Sequence, residues 1–72
     1  MEKIDIVSSI LKSAYYDNNY NMLSVTFKNG KEYVFYNVPN DVWNNFKNSE
    51  SKGSYFSRYI KGKYVKKFQW KL

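Results

Sequence analysis

The residues best suited to chemistry in this chain are hydroxyls and cations gathered around a glycine. Ser51-Lys52-Gly53-Ser54 stands where a second helix is expected to begin. A helix start offers unpaired N–H groups and the positive end of the helix dipole. Gly53 would let the backbone come close to a ligand, and Lys52 adds charge. The chemistry implied is anion binding. The step is not a phosphate loop, because the Gly-x-x-x-x-Gly-Lys-Ser/Thr spacing is absent. The plainer alternative is a capped turn between two helices, with the glycine serving geometry alone.

A second constellation follows it. Arg58, Lys61, Lys63, Lys66, Lys67 and Lys71 are interleaved with Tyr59, Tyr64, Phe68 and Trp70. Cations that track a phosphate backbone, with aromatic rings for bases to stack on, are what single-strand binding requires. Tyr33 and Phe35, alternating along an expected strand, are further candidates for stacking. The competing reading makes the aromatics core and the lysines their solvated backs.

Charge supports a polyanionic partner. The chain has 12 Lys and Arg against 6 Asp and Glu, a net +6. Four of each cancel within residues 1–36, so the whole excess lies in residues 37–72. Nucleic acid, an acidic protein surface and plain solubility all remain open at this point. The cations are nearly all Lys. Base-specific contacts favour the planar fork of Arg, so contacts to phosphate with weak sequence preference are expected.

Other chemistries are disfavoured. With no His and no Cys, the commonest general base and the thiol nucleophile are both missing. Ser51 and Lys52 are adjacent and would not face each other on a helix. Ser57 and Lys61 are four apart, but nothing sets them off from any surface pair. The chain therefore reads as non-enzymatic. Imidazole and thiolate ligands are lacking, and no Asp-rich loop suggests calcium, so no metal or cofactor is expected. The absence of Cys fits a cytoplasmic setting. No signal-like run opens the chain, and no segment approaches a membrane span.

The elements that must position these groups read as α+β. Seventy-two residues suit one small domain, residues 1–72, whose fifteen aromatics can build a core without disulfide or metal. Residues 1–9 read as a lead, and Ile10 to Tyr16 as a first strand. Asp17 to Asn21 reads as a loop. Met22 to Lys28 alternates cleanly, and Asn29-Gly30 signals a two-residue hairpin turn before Lys31 to Val38. That turn would set Thr26 opposite Tyr33, Val25 opposite Val34 and Leu23 opposite Tyr36. Pro39 stops the strand and suits a helix start. Val42, Trp43 and Phe46 follow at helical spacing. Ser51 or Ser54 would cap a second helix with Tyr55, Phe56, Tyr59 and Ile60 on its apolar side, and Gly62 would end it. A last strand carries Tyr64, Phe68 and Trp70. The expected fold is a small antiparallel β-meander of three strands, two short helices, then a C-terminal strand. Its core would be Ile10, Leu23, Val25, Phe27, Val34, Tyr36, Val38, Trp43, Phe46, Phe56 and Ile60.

Several of these pieces, in this order, resemble the KTSC domain family. They are Val7-Ser8-Ser9-Ile10, Tyr16-Asp17, Leu23-x-Val25-x-Phe27, Asn29-Gly30, Tyr33-x-Phe35-x-x-Val38-Pro39, Phe46, Ser51-x-Gly53-x-Tyr55-Phe56 and Ile60-Lys61. The likeness runs over about residues 6 to 64. Ser49 departs from it, where the family usually has a small residue such as Ala. The resemblance implies a compact α+β domain of a kind found at the C-terminus of some lysyl-tRNA synthetases and as small stand-alone bacterial and phage proteins. It carries no catalytic residue set, and its attachment to a synthetase hints at RNA by association.

The function expected is a basic binding module for nucleic acid, RNA or single strands. Its contacts would come from Ser51, Lys52, Gly53, Ser54, Arg58, Lys61, Lys63, Lys66 and Lys67, with stacking by Tyr33, Phe35, Tyr59 and Tyr64. The alternatives are a protein-interaction module, such as a phage factor docking on a host protein, and a binder of a small phosphorylated ligand. No membrane partner is expected, and the sequence leaves the oligomeric state open.

Overall fold

The computed structural model describes residues 1–69, with Phe68 and Gln69 described through their backbone. Trp70 and Lys71, placed above on the last strand and in the basic run, lie outside the described residues. Five antiparallel strands form one sheet in chain order: β1 (Glu2–Asp5), β2 (Leu11–Asp17), β3 (Met22–Phe27), β4 (Glu32–Phe35) and β5 (Lys66–Gln69). Between β4 and β5 come α1 (Asn40–Asn48) and α2 (Lys52–Tyr55), the latter running straight on into a wider π turn, Phe56–Ile60. The α+β class, the meander, the two helices and the C-terminal strand are as expected. The lead is not a lead: residues Glu2–Asp5 pair with β2, from Glu2 opposite Tyr16 to Asp5 opposite Ser13.

The hairpin register differs from the expected one by a single residue. Leu23 lies opposite Phe35, Val25 opposite Tyr33 and Thr26 opposite Glu32. The cause is the turn. A type I′ turn needs positive φ at both central residues, but here Gly30 alone has it, at 88°. The Gly30 N–H donates to the Phe27 carbonyl, and the Phe27 N–H to the Lys31 carbonyl. The loop is thus Lys28-Asn29-Gly30, a three-residue connection with glycine in the left-handed position. Asn29 Oδ1 accepts the Lys31 N–H, which steadies it.

A one-residue slip moves a strand's side chains to the other face. Tyr33 and Phe35 therefore join Leu23, Val25 and Phe27 on the face beneath the helices. Phe35 is buried, 1% exposed, so it is no stacking platform. Tyr36 is half-buried rather than core. On β2, a register irregularity between Leu11 and Ser13 lets both Leu11 and Ala14 point inward. Ile10 is left outside at 47% exposed, and Leu11 holds the core place assigned to it above. The remaining expected core residues are buried, with Phe27 half-buried. Ile6, Leu11, Ala14, Tyr16 and Phe35 complete the core.

The β1–α1 end is closed by specific bonds. Tyr16 stacks on Trp43 at 5.3 Å between centroids, and its hydroxyl donates to the Val38 carbonyl at 2.7 Å. Burial, then the nearby Asp17 carboxylate, pushes the Tyr16 phenol up from its usual value. The Glu2 carboxylate accepts from Lys47 Nζ at 2.9 Å and from Trp43 Nε1 at 3.0 Å. Lys47, then Trp43, hold the Glu2 carboxyl below its ordinary value. Among the described residues, no helix is long and apolar enough to cross a membrane.

Candidate functional site

Two segments distant in sequence meet on the opposite end of the molecule. The first is the β1–β2 connection, Val7-Ser8-Ser9-Ile10. Its bend is made by Ser8, whose hydroxyl accepts from the Ile10 and Leu11 N–H groups at 3.2 and 3.3 Å, a local side-chain bond that substitutes for strand pairing. The second is the start of α2. A Cβ on Gly53 would stand 3.2 Å from the Ser8 hydroxyl. That is tighter than an ordinary contact, so glycine eases the close approach of loop and helix. This is the geometric role weighed for Gly53 above, and it also shapes a site.

Between the two segments runs a groove of about 490 Å³. Ser8, Ser9, Ser51, Ser54 and Ser57 line it with hydroxyls, Lys52 and Arg58 bring cations, and Glu50 brings one carboxylate. The expected cap is not made. Ser51 holds the N-cap position without a side-chain bond, and Ser54 lies inside the helix. Only Lys52–Tyr55 is α-helical before the π turn begins, so the dipole is short and the side chains dominate the field. The π turn closes with the Lys61 N–H donating to the Phe56 carbonyl at 2.8 Å. Phe56 and Ile60 stay in the core while Ser57 and Arg58 face the groove. Such wide turns are frequent at functional sites.

The groove does not end there. A smaller depression shares Ser9 and Ile10 with it and adds Phe27, Lys28 and Asn29. That depression shares Phe27 and Asn29 with a pocket of about 250 Å³, floored by Phe27, Tyr33, Phe35 and Phe56 and rimmed by Lys31, Lys61 and Lys66. The three adjoin through these shared residues and form a track. Along it, among the described residues, lie Lys52, Arg58, Lys28, Lys31, Lys61 and Lys66, against Glu50 alone. Among the described residues, none of these cations pairs with a carboxylate.

The expected site residues are thus partly gathered and partly scattered. Ser51, Lys52, Gly53, Ser54 and Arg58 share the groove, and Lys61, Lys66 and Tyr33 share the pocket. Lys63 sits on the tight turn after Ile60, its N–H bonded to the Ile60 carbonyl, and lines neither. Lys67 lies opposite Val34 on the other face of the sheet. Tyr59 is 51% exposed but packs its ring on Tyr55. Tyr64 is half-buried against the core. Residue types alone did not single out Ser8, Ser9, Ile10, Ser57, Lys28 and Lys31 as site residues. A double serine directly before a strand was the available signal for the first two.

The KTSC domain family model matches residues 7–64, a span that includes both walls of the groove. The chain is 34% identical over 56 residues to a lysine–tRNA ligase of Nostoc punctiforme, and 36% identical over 56 residues to one of Trichormus variabilis. Each alignment covers 78% of this chain and 10% of the ligase, so the chain spans about a tenth of the length of these curated relatives. Its fold is similar to the crystal structure of a KTSC domain protein from Yersinia pestis. The TM-score is 0.84 at 33% identity, over 92% of this chain and 93% of that one.

Proposed function

The chain belongs to the KTSC domain family, and we propose that it is a non-enzymatic basic module that binds nucleic acid, RNA or single strands, through phosphate contacts. The observation that carries this is the run of three adjoining depressions from the serine groove to the lysine-rimmed pocket, lined among the described residues by six cations and one carboxylate. Hydroxyls and cations are the donors that phosphate oxygens take. Lys52, Arg58, Lys61 and Lys66 supply the contacts, with Lys28 and Lys31 added to them. Lys63 and Lys67 contribute only to the general field. The similarity to proteins named lysine–tRNA ligases favours RNA, and the cysteine-free sequence fits work in the cytoplasm.

The test is polarisation binding of labelled single-stranded RNA and DNA across a salt series. Each phosphate contact steepens the log–log salt slope by roughly 0.7 for a single strand. Micromolar binding that weakens steeply with salt, and a slope reduced by Arg58→Ala, are the expected results. Binding flat in salt, or none at low salt, overturns the proposal.

A second reading is docking on an acidic protein, as in a phage factor acting on a host. What favours it is the fully exposed Val7 and half-exposed Ile10 beside the cations of the groove. A stoichiometric partner that survives nuclease treatment and is lost in Ile10→Asp would mark that outcome.

A further inference from the structure

We infer that the pocket at the far end of the track seats one nucleotide of the bound strand, its base against the Phe27 and Tyr33 rings and its phosphate among Lys31, Lys61 and Lys66. This rests on the nucleic-acid reading of the track and goes further by naming a base-holding position within it. The first support is size. At about 250 Å³ the pocket falls below the roughly 300–1,000 Å³ that engulf a drug-sized ligand, and it suits a single ring system.

The second support is the rigidity of the floor. Phe27 meets Tyr33 edge-on at 5.7 Å and Phe56 edge-on at 5.6 Å. Phe56 in turn meets Phe35 edge-on at 5.6 Å. Phe35 and Phe56 are buried, while Phe27 and Tyr33 are half-buried. The buried pair fixes the half-buried pair, so the floor needs no ordering when a ligand arrives.

The third support is charge. Lys31, Lys61 and Lys66 are exposed, and among the described residues no carboxylate lines the pocket. Lys66 Nζ stands 4.9 Å from the Tyr33 ring centroid. An ammonium over a ring face is a modest attraction at an exposed site. An arriving base can displace Lys66, and its charge then meets the phosphate. The Asn29 side-chain oxygen already accepts the Lys31 N–H, and the three lysines are point charges suited to phosphate. Stacking accepts any base, because every base has a π face.

The experiment uses the full chain and a short single-stranded oligonucleotide series in which one nucleotide at a time is abasic or replaced by 2-aminopurine. One abasic position should weaken binding about five- to a hundredfold, the range for loss of one stacked base. 2-Aminopurine at that same position should be quenched on binding by wild type. Tyr33→Leu should abolish both effects while retaining the salt slope. Lys61→Ala, an exposed change that leaves the floor intact, should lower the slope by roughly 0.7 and keep the quench. Salt-dependent binding in which every abasic position costs less than about twofold, with no quench in wild type, overturns the pocket and leaves the track standing. No binding of any oligonucleotide at low salt overturns both.

Discussion

The two ends of this molecule use the same residue types to opposite effect. At the β1–α1 end, Lys47 approaches the Trp43 ring, and its ammonium is bonded to the Glu2 carboxylate. At the pocket end, Lys66 approaches the Tyr33 ring with no carboxylate partner among the described residues. Tyr16 stacks on Trp43 and donates its hydroxyl to a buried carbonyl, whereas Tyr33 lines a pocket. The lesson is that lysine and aromatic content alone separates nothing. Among the described residues, what distinguishes the closed structural end from the pocket end is whether the cation beside the ring meets a carboxylate.

The sharpest test concerns the residue both ends depend on. Phe56 is buried, braces Phe27 and Phe35, and belongs to the core that also holds Trp43. Phe56→Ala should destabilise the fold by about 3–5 kcal/mol, the usual range for emptying a core aromatic position. A denaturant melt showing less than about 1 kcal/mol would mean that the pocket floor is not tied to the core.

Tyr16→Phe should come next. It keeps the stack on Trp43 and removes the donor to Val38, leaving a buried carbonyl unsatisfied. A loss of about 1–3 kcal/mol is expected, with nucleic-acid affinity unchanged for the protein that remains folded. A change in affinity at constant stability would break the division between the ends.

Acid should open the closed end selectively. The Glu2 carboxyl is held below its ordinary value of 4.5 by Lys47 and Trp43. The stabilisation it provides is therefore full above that value, and it is lost as pH falls through the lower folded value. A Glu2→Gln variant should melt below wild type at neutral pH, and the gap should shrink as pH falls below 4.5. A gap that stays constant with pH would show that Glu2 acts without its charge.

The smallest effect on stability belongs to the track. Arg58→Ala and Lys61→Ala remove exposed cations with no carboxylate partner among the described residues. Each should shift stability by less than about 0.5 kcal/mol while flattening the salt dependence of binding. A loss of more than about 1 kcal/mol in either melt would place that residue in the scaffold instead.

Most of the architecture was legible in the sequence, because alternation in Met22 to Lys28 and helical spacing in Val42, Trp43 and Phe46 are strong signals. The faces were less so. Asn29-Gly30 is shared by two-residue and three-residue loops, and positive φ at Gly30 without it at Asn29 marks the three-residue form. The loop length decides on which face of the sheet Phe35 lies. The strand β1 was hidden because Glu2-Lys3-Ile4-Asp5 offers just one apolar residue, and its place is set by backbone pairing and the Glu2 bonds to α1. Lys66 and Lys67 read as one basic run, but strand alternation sends them to opposite faces of the sheet. The serine groove was half legible. Ser51 to Ser54 stood out, while Ser8 and Ser9 join them only through the tertiary approach of the β1–β2 connection to α2.

The order of the sheet has a consequence for how the chain reaches this state. Strands β1 to β4 pair with their immediate neighbours through short loops, so closing each one forfeits little chain entropy. Strand β5 pairs with β4 across residues 36–65, a span that holds both helices. Local pairings of the first kind favour fast folding, and the last is the long-range one. Substitutions in the β2–β3 pairing should then act mainly on the folding rate, and those in β5 mainly on the unfolding rate, which a chevron plot would separate. During synthesis, β5 and the Lys66 rim of the pocket emerge after the strands they join, so the pocket end is completed only after the scaffold that supports it.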